Sequence, residues 1–201
     1  MQPRFLSRVL AASLCLVLVG GALPAFAQMS GSADNMHSME SGQPVLVGGA
    51  AMYPSRNIIQ NAVHSRDHTT LVAAVKAAGL VKTLEGAGPF TVFAPTNEAF
   101  AALPAGTVDT LLKPENKATL TRILTYHVVP GRYDAQKLDQ MIEAGGGKAE
   151  LKTVEGGTLT VKGSGTMLTI TDDKGDTANV TIPDVYQSNG VIMVVNKVLM
   201  P

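Results

Sequence analysis

Two hydrophobic patterns divide the chain. Between about residues 55 and 144 apolar residues recur three and four apart in short blocks, the spacing of helices that bury one face. From Ala149 to Ile182 they alternate with polar residues instead, broken by Gly156-Gly157, Gly163-Ser164-Gly165 and the run Asp172 to Asp176, which is the pattern of a β-meander. The helical blocks come with start and stop signals. Ser55 is placed to cap a helix carrying Ile58, Ile59 and Val63. Thr69 or Thr70 is placed to cap a second, with Leu71, Val72 and Val75 inward and Gly79 ending it. Leu80 to Leu84 reads as one more turn. Thr107 to Leu112 and Pro114 to Leu124 read as helices, the second opened by its proline, and Asp134 caps another that Gly145-Gly146-Gly147 stops.

Two apolar runs break this order. Phe90 to Ala94 holds no charge, suits a strand covered on both faces, and is closed by Pro95. Thr96 then caps a short helix with Phe100 and Leu103 inward, which Pro104 stops. Asn189-Gly190 is a turn signal leading into Val191 to Val195, five consecutive apolar residues that need neighbours on both sides. Helices first and strands later, with two strands donated by the first half, predict an α+β domain built around a β-sandwich or wedge.

Three of these stretches, FTVFAPTNEAF from Phe90, YHVVPG from Tyr126 and NGVIMVVNKVLMP from Asn189, resemble the two signature boxes and the Tyr-His motif of the fasciclin (FAS1) domain family, in the right order. The resemblance runs from Tyr53 to the end. It implies a FAS1-like β-sandwich or wedge with several short helices packed on it, and an adhesion or binding module instead of an enzyme. It also carries Tyr126 and His127 over as candidate binding residues. The residues themselves offer another role, with Tyr126 in the core reaching a backbone partner through its hydroxyl and His127 tying helix to strand through its ring. The last box departs from the family form at Met193, where many members carry His, and at Asn196, where many carry Asp. The second departure weakens any integrin-type activity. Lys174-Gly175-Asp176 has integrin-motif letters and reads equally as a tight hairpin turn.

The N-terminus has its own grammar. Arg4 and Arg8, the apolar stretch Val9 to Gly21 and the small-residue site Ala25-Phe26-Ala27 form a signal-peptide pattern over residues 1–27, so the chain is expected to be exported to a periplasmic or extracellular space. The one cysteine, Cys15, lies inside that segment. Of 16 basic and 16 acidic residues the segment removes two basic ones, which leaves a formal charge of −2. A near-neutral surface without a basic run argues against nucleic acid as a partner. Residues 28–52, rich in Met, Gly and Ser, read as a flexible leader. Met29, Met36, His37 and Met39 within it form a candidate Cu(I) set, since thioether and imidazole suit that ion. His64 and His68 stand four apart, but Ser65-Arg66-Asp67 between them reads as a helix break and no third ligand follows.

Elbow, phosphate-loop and HExxH motifs are absent from the sequence, and no cofactor is called for. The expected partner is a cell-surface or matrix protein or a polysaccharide, bound by a monomer with no transmembrane segment after processing. Two alternatives stand beside adhesion: a small apolar ligand in the crevice between helices and sheet, and copper handling through the leader.

Overall fold

Residues 43–201 are described by a computed structural model of the chain. A hairpin of β1 (Val45–Val47) and β2 (Ala50–Met52) comes first, turning through Gly48 and Gly49 at φ 58° and 75°. A two-residue turn of this kind needs positive φ at both centres. The hairpin falls inside the stretch that reads as leader, so order begins ahead of Tyr53. The physical reason is that Val47 and Met52 are buried, an anchorage of one residue per strand that is too short to register as a period.

The helical half follows. Asn57, not Ser55, caps α1 (Ile58–Ala62): its Oδ1 accepts from Gln60 N at 2.8 Å while Gln60 Oε1 accepts from Asn57 N at 3.0 Å. A 3-10 turn over Arg66–His68 leads into α2 (Thr69–Ala78), where neither threonine is the cap. Instead Asn97 reaches across. Its Oδ1 accepts from Thr70 N at 3.0 Å and its Nδ2 donates to Arg66 O at 2.7 Å, so a residue distant in sequence closes the helix start. Gly79 ends α2 at φ 76°, and α3 (Val81–Leu84) follows.

Next come β3 (Phe90–Pro95), α4 (Asn97–Ala101) capped by Thr96, and α5 (Thr107–Leu111). A 3-10 turn over Pro114–Asn116 opens into α6 (Lys117–Tyr126), then β4 (Val128–Pro130) and α7 (Ala135–Ala144), which Asp134 caps. The meander supplies β5 (Ala149–Lys152), β6 (Thr158–Ser164), β7 (Met167–Thr171) and β8 (Thr177–Gln187), and β9 (Gly190–Val195) closes the fold.

The main sheet has seven strands in the order β4-β3-β9-β8-β7-β6-β5, antiparallel throughout except for the parallel pair β3 and β9. It is α+β and barrel-like. Just beyond β5, Val154 N donates to Val128 O at 2.8 Å, which brings the two edges together. The bend is made in β8, whose register to β9 shifts between Val180 and Val185. Asp184 in that segment has φ 56°, a left-handed conformation that Asp tolerates better than most residues, and its Oδ1 accepts from Ala135 N at 2.7 Å to fix the start of α7.

Strands β3 and β9 have a core on each face. Val92, Ala94, Ile192 and Val194 face the helices and the β1–β2 hairpin, while Phe93, Met193 and Val195 face the other strands and α7. Every residue of β9 is buried, as its unbroken apolar run predicts.

Candidate functional site

The Tyr-His pair sits between the two cores. Helix α6 ends at Tyr126, whose side chain passes into the sheet-side core and is fully buried. Its hydroxyl donates to Thr158 O at 3.1 Å and accepts from Asp173 N at 3.0 Å, so it joins β6 to the β7–β8 turn. Burial, offset in part by that amide, pushes the phenol up to about 12. His127 is equally enclosed. Leu199 N donates to its Nε2 at 3.0 Å, which leaves the ring hydrogen on Nδ1 to be donated to Ile123 O at 2.8 Å. Both nitrogens are satisfied only in this neutral tautomer. Protonation would turn Nε2 against the Leu199 amide, and burial drives the pKa down to about 4. Neither residue presents surface to a partner.

On the other face of β3 and β9 the packing is incomplete. A narrow apolar cleft of about 50 Å³, open to solvent at its mouth, lies between α1, α2, the hairpin and the sheet. Val47 and Met52 wall it on the hairpin side, Leu71 and Val75 along α2, and Ala94 and Ile192 on the sheet. His68 lines it as well. Its Nδ1 pairs with Ser65 Oγ at 2.9 Å, but its buried Nε2 has no hydrogen-bond partner. Burial lowers the ring's pKa; the Ala94 carbonyl stands close enough to oppose this but outside bonding geometry. His64 is exposed, so the two histidines diverge at the helix break.

Buried amides that the sequence did not single out hold the cleft's outer wall. Asn189 Oδ1 accepts from Ile58 N at 3.0 Å, and its Nδ2 donates to Leu84 O and Gly86 O at 2.8 and 2.9 Å. Asn61 accepts from Tyr53 N at 3.1 Å and donates to Tyr53 O at 2.8 Å and to Gln187 Oε1. In the sequence Asn189 reads only as a turn residue, and Asn61 and Gln187 carry no signal.

The remaining candidates are dispersed. Lys174, Gly175 and Asp176 form the β7–β8 turn, where Asp172 Oδ1 accepts from Lys174 N and Asp176 N at 3.0 and 2.8 Å. Met193 is buried in the sheet-side core, and Asn196 Oδ1 accepts from Asn179 N at 2.8 Å. Met29, Met36, His37 and Met39 lie outside the described residues, as does the segment 1–27. Among the described residues no three His, Cys, Asp or Glu side chains converge on a metal-sized site, and no helix is long and apolar enough to cross a membrane.

A family model described as the fasciclin domain matches residues 66–201. Protein sll1483 of Synechocystis is 46% identical over 158 residues, covering 78% of this chain and 79% of that protein. The cell surface glycolipoprotein MPB83 of Mycobacterium bovis is 38% identical over 122 residues, 61% of this chain and 48% of that one. Among solved structures, a FAS1 domain pair from the insect cell adhesion molecule Fasciclin I aligns with a TM-score of 0.66 at 18% identity, over 73% of this chain and 51% of the pair. That last likeness is one of fold.

Proposed function

We propose, from the premise that this chain belongs to the fasciclin domain family, that it is an exported, non-enzymatic binding domain acting in adhesion or cell-surface association. Fasciclin domains occur in adhesion-related and cell-surface proteins, and relatives such as MPB83 carry a cell-surface name. The carrying observation is where the motif residues spend their polar atoms. Tyr126 and His127 use the hydroxyl and both ring nitrogens on internal partners, so we assign them to the scaffold and contact with a partner to exposed loops and helices. The partner in this reading is a surface or matrix protein or a polysaccharide, met by a monomer.

The test is retention of the tagged full chain on native envelope or matrix, with capture of the bound component. Variants at His127 should lose retention only as far as they lose folding. Absence of retention above an unrelated control domain would end the adhesion reading.

A second reading is favoured by the cleft. A concave apolar space with few polar groups is the form small-molecule sites take. Native mass spectrometry of the chain purified from its own host should then carry an added small mass that denaturation releases.

A further inference from the structure

The cleft is apolar along its length and charged at one end. Lys76 is the one charged side chain lining it, and none of the lining residues is acidic. Because Lys76 is exposed, its methylene stem forms wall while its ammonium stands in water at the rim. His68, which lines the same cleft at the start of α2, is buried. At 1.5 Å per residue the step from position 68 to 76 spans about 12 Å of helix, so the space runs along α2 from the buried imidazole of His68 to a cationic mouth. A second cation lies near that mouth. Lys117 of α6 sets its Nζ 3.5 Å from where a Cβ on Gly79 would stand, one turn on from Lys76. Neither lysine is among the ion pairs of the described residues, which join Arg122 to Glu155, Lys148 to Glu150 and Lys197 to Asp176.

We infer that the cleft takes a single-chain aliphatic carboxylate, its chain along α2 and its head at Lys76. This rests on the apolar-ligand reading above and adds the head group. Sugars and nucleotides fit poorly, since the walls would leave their polar groups unpaired. A hydrocarbon chain has no such requirement. A head that keeps part of its hydration at the rim is not desolvated, and a free ammonium there selects a negative one.

The experiment is calorimetric titration of the purified, delipidated full chain with sodium decanoate below its micellar range, beside octanoate and decanol. One saturable site is expected. Each methylene removed should weaken binding about fourfold. Decanol should bind about two- to fivefold more weakly than decanoate, and high salt should shrink that preference. Lys76→Gln should remove most of that preference, and Lys76→Gln with Lys117→Gln should make the two equal, neither change moving the melting temperature. Ala62→Phe, which fills the cleft, should abolish binding of both; should that variant fail to fold, the milder Ala62→Leu is titrated and should weaken both.

If decanol and decanoate bind alike and Lys76→Gln changes nothing, the carboxylate assignment is overturned while the apolar-ligand reading stands. If neither saturates, or if binding ignores the change at Ala62, both are overturned. Retention on envelope by the Ala62 variant reports on adhesion separately.

Discussion

The two faces of β3 and β9 share strands but not packing. On the sheet side Phe93, Met193 and Val195 meet strands, α7 and the ring of Tyr126, whose hydroxyl has a partner for its hydrogen and one for its lone pair. On the helix side Ala94 and Ile192 face a cleft, and the buried histidine there has a nitrogen without a partner. The difference separates a face that specifies the fold from one with room to bind. Filled apolar packing with satisfied polar pins leaves a single arrangement. An unfilled, apolar space forgoes contacts that a ligand could restore.

The largest test of this asymmetry compares neighbours on β9. Met193→Ala should cost about 4 to 5 kcal/mol, because a closed core cannot collapse around the void. Ile192→Ala, beside existing space, should cost about 2. Chemical denaturation of both variants measures the pair. Equal losses would mean that the cleft wall is as tightly packed as the sheet side.

Acid comes next. The folded pKa of His127 is about 4 against an ordinary 6.5, so between those values the unfolded chain binds a proton that the folded chain refuses. The stabilising contribution is complete above about pH 6.5, falls as pH drops, and is fully lost by about pH 4, with a total of roughly 3 kcal/mol. His68 is displaced in the same direction by burial and adds to the slope. His127→Gln should flatten most of the pH dependence across that window. If the slope survives unchanged in that variant, the ring is not held neutral by its two bonds.

The Asn189 clamp should follow. Asn189→Ala removes the acceptor for Ile58 N and the donor to Leu84 O and Gly86 O, a loss of about 1 to 3 kcal/mol. It should also loosen the cleft's outer wall, seen as faster amide exchange in α1 than in β9. Uniform acceleration would show that the clamp serves the whole domain.

How much of this the sequence disclosed follows the range of each interaction. Strand β9 was legible because a short, unbroken apolar run after a turn signal fits little besides a strand buried on both faces, and Thr96 and Asp134 were legible because a helix cap sits beside what it caps. The cap on α2 was not, since Asn97 approaches from another element. The β1–β2 hairpin was hidden by length, with only Val47 and Met52 of its residues fully buried. The Tyr-His pair announced itself as a motif, yet its partners Thr158, Asp173, Ile123 and Leu199 come from four places that only the fold assembles. A crevice between helices and sheet followed from the expected architecture, but which residues line it did not, since the lining reads as ordinary core.

The smallest expected effect brings the two buried histidines together. His127→Leu would strand the Leu199 amide and the Ile123 carbonyl, each buried, and should cost about 1 to 3 kcal/mol or more. His68→Leu gives up one bond, to Ser65 Oγ, and at the same time removes a nitrogen that has no partner. Those changes oppose each other. Replacing an unsatisfied polar group by an apolar one of similar bulk is close to neutral, so His68→Leu should shift stability by less than about 1 kcal/mol, and His68→Leu with Ser65→Ala should lie nearer zero still because no hydroxyl is then left without its mate. Thermal unfolding at pH 7 compares the three variants. A loss at His68 as large as that at His127 would show that the nitrogen is satisfied in solution, by the Ala94 carbonyl or by water in the cleft, and that the helix side has a polar pin of its own.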